Sequence, residues 1–120
     1  MPIADESKPY DLEDRTFNFA KASRAFVKKL PRTIANVEDA KQFIRASGSI
    51  GADYIEANES IGKKHFVMKI KTCRREAKES GYWLRLLDCN GELDSVRAKL
   101  LIEARELTNI FGAIVRKTER

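Results

Sequence analysis

Residues 92–117 read ELDSVRAKLLIEARELTNIFGAIVRK, and this stretch decides the fold. Leu93, Val96, Leu100, Ala104, Leu107, Phe111 and Ile114 recur at alternating spacings of three and four, the repeat of one face of an α-helix packed in an antiparallel bundle. No glycine or proline interrupts the stretch before Gly112. Working back along the chain, the tight connection at residues 88–91 separates this helix from one expected over 63–87, with Phe66, Ile70, Cys73, Ala77, Ser80, Leu84 and Leu87 inward. Gly62 closes a helix expected over 37–60, with Asn36 as N-cap and a face of Val37, Ala40, Ile44, Ser47, Gly51, Tyr54 and Asn58. Pro31 ends a first helix over 11–29, whose face is Leu12, Thr16, Phe19, Ser23, Phe26 and Leu30. Four long helices joined by short loops predict an all-α, antiparallel, up-down-up-down four-helix bundle over 11–117, preceded by a flexible segment at 1–10.

Composition agrees with that reading. The 120 residues include three prolines and six glycines, too few for a many-turned β-sandwich, and 42% apolar content is enough for one core. No signal-peptide core opens the chain and no window approaches a membrane span, so the expected location is the cytoplasm, without membrane contact. Cys73 and Cys89 are too few and too far apart for a zinc or C-x-x-C site, and no Glu-x-x-His motif supports a di-iron centre. No metal and no cofactor are therefore expected. His65, beside Lys63 and Lys64, has no local nucleophile or orienting acid, and no catalytic constellation appears. The chain reads as a non-enzyme.

Two features exceed a generic bundle. The run ASGSIGA at 46–52 places small residues around most of the second helix, implying close approach of a neighbouring helix. Leu101, Ile102, Ile110, Val115, Val67, Met68, Trp83, Leu86, Phe17 and Val27 lie off the main stripes, a surplus that points to either an oligomer interface or a wide core.

The charge is asymmetric. Residues 1–62 carry nine basic and ten acidic side chains, whereas 63–120 carry fourteen and eight. The densest basic stretch, KKHFVMKIKTCRREAK at 63–78, has seven cations and one acid. Such a helix face can contact phosphates independently of sequence. Antiparallel pairing of the second and third helices, at positions whose numbers sum to about 122, places Asp53 opposite Lys69 and Arg45 or Ala46 opposite Glu76, with Glu56 and Glu79 joining the same polar network. Lys69 and Arg75 are then engaged by carboxylates, which leaves Lys63, Lys64, Lys71, Arg74 and Lys78 as candidate nucleic-acid contacts. An enzymatic alternative would hold Asp53, Glu56, Lys69 and Glu76 around an enclosed polar pocket.

The segments SGSIGADYIEA at 47–57, HFVMK at 65–69 and REAKESGYWL at 75–84 resemble the bacterial four helix bundle family, whose founding members are encoded in intervening sequences of 23S ribosomal RNA genes. The chain departs from that pattern at Asp53, where asparagine is usual, and at Arg75, where lysine is usual. The resemblance implies a left-handed bundle assembling into a homo-oligomeric ring, a pentamer, with no established enzymatic activity. It also implies, through related bundle proteins that serve as accessory factors of diversity-generating retroelements, a basic surface that engages RNA or other nucleic acid. The alternative is a structural or protein-interaction scaffold ring.

Overall fold

A computed structural model describes residues 9–120 as four helices: α1 (Pro9–Lys28), α2 (Ile34–Asn58), α3 (Lys63–Leu86) and α4 (Gly91–Glu119). The expected flexible segment lies, for residues 1–8, outside the described residues, and α1 already contains Pro9 and Tyr10. Each helix packs on its two neighbours in a closed circuit, α1 on α2, α2 on α3, α3 on α4 and α4 back on α1, which is the arrangement of a four-helix bundle. Along the successive pairs, residue numbers fall on one helix as they rise on the other: Thr16 meets Gly51 while Arg24 meets Gly48, and Gly81 meets Ala104 while Arg74 meets Gly112. The 29 residues of α4 span the 45 Å long axis of the molecule.

All six expected stripe residues of α1 are buried, including Thr16 and Ser23. Their hydroxyls donate to the carbonyls of Leu12 and Phe19 one turn back, which satisfies the polar atoms and lets small side chains occupy the core. In α4 the stripe holds at Leu93, Leu100, Ala104, Leu107 and Phe111, whereas Val96 is exposed and Val115 replaces Ile114 inside. Val67 likewise replaces Phe66 as the buried member of the first turn of α3. Of the surplus apolar residues, Val67 and Val115 therefore belong to the core. Val27, Trp83, Leu101 and Ile110 pack against it, and Phe17, Met68, Leu86 and Ile102 remain exposed.

The second helix departs most from expectation. Thr33, not Asn36, is its N-cap: the Thr33 hydroxyl accepts from the Asn36 backbone N–H at 3.1 Å, and the helix begins three residues early. Asn36 is buried at 2% exposure and bridges two turns instead. Its Nδ2 donates to the carbonyls of Pro31 and Asp88, each at 2.9 Å, while its Oδ1 accepts from the Asp88 N–H at 2.9 Å. The α1–α2 and α3–α4 connections are thereby tied together at one end of the bundle. The buried face of α2 is also rotated from the expected one, with Phe43, Ala46, Ile50 and Ala57 inside and Asn58 exposed.

Two glycines have specific roles. A Cβ on Gly51 would lie 2.9 Å from Thr16 Oγ1, so this residue permits the close approach of α1 and α2. Gly62 takes a φ of 85° in the turn before α3, a conformation that side chains with a Cβ rarely adopt. At the other end of α3, the Arg97 guanidinium donates to the carbonyls of Leu84 and Leu87, where the helix leaves its last acceptors open.

Candidate nucleic-acid interface

The basic residues of α3 divide into two groups. Lys63 and Lys64 stand exposed in its first turn and do not line the groove that holds the other candidates. Lys71, Arg74 and Lys78 instead line an open groove of about 950 Å³ between α3 and α4, together with Arg75, Thr108 and Asn109. The groove continues as a second recess of about 410 Å³ that shares Lys78 and Thr108 and adds Tyr82, Arg85 and Arg105. Among the described residues, no carboxylate lines either part. From Lys71 to Arg85 the α3 wall is about 21 Å long at 1.5 Å per residue.

Ion pairing decides which of these cations is available. Lys71 contacts Glu119 at 3.2 Å, a correction to its expected freedom: the carboxylate arrives from the last turn of α4, 48 residues away in the chain. Arg75 pairs with Glu76 at 3.8 Å, in line with its expected engagement. Among the described residues, Arg74, Lys78, Arg85 and Arg105 have no carboxylate within 4.0 Å. Arg85 and Arg105 escaped the sequence reading because each is a single cation among mixed neighbours, and only the α3–α4 packing brings them together. The residue spacing on α4 that places Arg105, Thr108 and Asn109 on one face was the available signal.

The polar network lies on the other side of α3, along the seam with α2. Arg45, one of the two α2 positions expected opposite Glu76, lies 3.8 Å from it and 3.9 Å from Glu79. Lys69, however, pairs with Glu56 at 2.6 Å and not with Asp53. Asp53 is half-buried, and burial raises its carboxyl above the ordinary value against the opposing pull of Lys69. Glu56 is solvent-exposed, and its hydrogen bond from Lys69 lowers its pKa. Glu76 is the buried member of the network, its Oε1 shielded from solvent and without a hydrogen bond. Burial raises the pKa of this carboxyl, with Arg45 opposing the shift. These pairs hold two helices in register and bring Asp53, Glu56, Lys69 and Glu76 together as neighbours along a seam.

Nucleophiles and metal ligands add nothing to the site. Burial pushes the Cys73 thiol up to about 12, so it is not ionised near neutrality. His65 is exposed. Among the described residues no group of three or more His, Cys, Asp or Glu side chains could hold a metal ion, and no helix is long and apolar enough to cross a membrane.

Fold and surface together define a small four-helix bundle with a cation-lined outer groove. The family model of the 23S rRNA-intervening sequence protein matches residues 9–113, and the chain belongs to that family. A crystal structure of a protein of unknown function from the S23 ribosomal protein family of Bacteroides thetaiotaomicron superposes with a TM-score of 0.77 at 23% identity, covering 90% of this chain and 97% of that one. It shares the fold. No curated protein matches the chain.

Proposed function

We propose that this protein is a non-enzymatic, cytoplasmic, homo-oligomeric bundle that binds RNA through the phosphate backbone along the α3–α4 groove. The observation that carries the reading is the set Arg74, Lys78, Arg85 and Arg105, four cations lining one groove with no carboxylate near them among the described residues. An exposed cation already paired with a carboxylate offers little to a phosphate, whereas an unpaired one exchanges condensed counterions for the contact. Lys63, Lys64 and Lys71 become secondary contacts in this reading. Assembly is supported by the exposed apolar side chains of Phe17, Ile55, Met68 and Ile102, and a left-handed antiparallel bundle closed into a pentameric ring is the arrangement the family resemblance implies.

The test is fluorescence anisotropy of a labelled RNA against salt concentration. Four phosphate contacts on a single strand give a slope of log affinity against log salt of about −3. Replacing Arg74, Lys78, Arg85 and Arg105 by Glu is expected to abolish binding at low salt, while Lys63→Glu with Lys64→Glu reduces it modestly. Unchanged binding by a folded quadruple variant overturns the assignment of the groove. Light scattering on the same preparations measures the assembly mass, and a monomer overturns the ring.

A further inference from the structure

Within the groove, the recess around Tyr82 differs from the rest. Tyr82 is 51% exposed although it lines the recess with three cations, and Trp83 meets its ring edge-on with centroids 5.1 Å apart and planes at 76°. The floor between the helices is made of Ala77, Gly81 and Ala104. A Cβ on Gly81 would lie only 3.9 Å from the Ala104 Cβ, so α3 and α4 come together here through their smallest side chains. That leaves the recess of about 410 Å³, with Leu101 adding an apolar surface and Lys78, Arg85 and Arg105 around it. An aromatic face, an apolar floor and a rim of unpaired cations are complementary to a planar ring that carries a phosphate on either side.

We infer that this recess holds one unpaired nucleobase stacked on Tyr82, with the adjoining phosphates on Lys78, Arg85 and Arg105, and that the groove consequently selects single-stranded over duplex RNA. The inference rests on the groove reading above and names its substrate class. In a duplex both faces of each base are covered by their neighbours, and the A-form major groove is too deep and narrow for side chains to reach the base edges. The cations serve either form, but the ring serves only a base that is free to leave its stack. Stacking on a protein aromatic is tolerant of base identity, so no strong sequence preference accompanies it.

The protein is titrated at low salt with a labelled oligouridylate and, separately, with a labelled RNA duplex of the same length. The expected result is tighter binding of the single strand. Tyr82→Leu, which keeps an apolar side chain and removes the ring, weakens the single strand about 5-fold or more and leaves the duplex unchanged, while Tyr82→Phe restores parental binding. Emission from Trp83, the single tryptophan of the chain, changes on addition of the single strand and not of the duplex. Equal weakening of both probes by Tyr82→Leu, or no weakening of either, overturns the base slot and leaves the groove reading standing. Failure of the parent to bind either probe overturns both.

Discussion

Replacing Asn36 by Asp separates two roles that the local sequence does not distinguish. At a helix N-cap the two residues are nearly equivalent, because each supplies a side-chain oxygen, so a capping Asn36 would accept the change at almost no cost. In the structure Asn36 donates two hydrogen bonds, to the Pro31 and Asp88 carbonyls, and accepts one from the Asp88 N–H, all at 2.9 Å and with the residue 2% exposed. Aspartate keeps only the acceptor. It also turns carboxylate lone pairs toward two carbonyl oxygens in a site with little water. At about 1 kcal/mol for each lost bond, Asn36→Asp costs about 2 kcal/mol, with the carboxylate repulsion in addition, and Asn36→Ala costs about 3 kcal/mol. Thr33→Ala, which removes the actual cap, costs about 1 kcal/mol. Urea unfolding followed by far-UV circular dichroism, at one fixed protein concentration because an assembling chain is stabilised by mass action, measures all three. An Asn36→Asp variant within about 0.5 kcal/mol of the parent refutes the bridge between the two turns.

Four further expectations follow from specific contacts and from burial. Gly51→Ala drives a Cβ to 2.9 Å from Thr16 Oγ1 and 3.3 Å from Thr16 Cβ, in a buried seam, and is expected to destabilise by about 1–3 kcal/mol in the same urea assay. Gly48→Ala meets only the solvent-exposed far end of Arg24, at 3.1 Å, and is expected to be neutral or stabilising by up to about 1 kcal/mol. Because the folded carboxyl of Glu76 has a raised pKa, the folded state binds more protons than the unfolded state between the two values, and this group's contribution to stability falls as pH rises through that window. Glu76→Gln is therefore expected to remove this falling contribution as pH rises above the ordinary carboxyl value of 4.5, read from urea midpoints, and a profile parallel to the parent's refutes the assignment. A thiol-reactive dye is expected to label Cys89 alone in the native protein, slowly because burial and its hydrogen bond to Asp94 raise the thiol pKa, and Cys73 only after unfolding. Rapid native labelling of Cys73, located by peptide mapping, refutes its burial.

The amino-acid sequence by itself determined the four helices and the inward face of the first. In and just after α1, Leu12, Thr16, Phe19, Ser23, Phe26 and Leu30 recur at spacings of four and three, which puts them on one face of a 3.6-residue period, and all six are buried, while Phe17 and Val27 fall off that face. The register of α2 on Glu76 was legible to within one residue, Arg45 or Ala46, because a short loop fixes which positions of α2 and α3 can face each other. Only the tertiary structure decided the rotation of α2, because Ala46, Gly48, Gly51 and Ala52 leave its apolar surface too broad to define one direction, and packing of Phe43 and Ile50 settles it. It also turned Asn36 from a local cap into a bridge to a residue 52 positions away. The candidate site was legible by half: Arg74 and Lys78 appear in the basic run of α3, but the pairing of Lys71 with Glu119 and the convergence of Tyr82, Arg85 and Arg105 depend on how α4 lies against α3. Charge along one helix is a property of neighbouring residues, whereas free charge in a groove depends on the partners that distant residues bring to it.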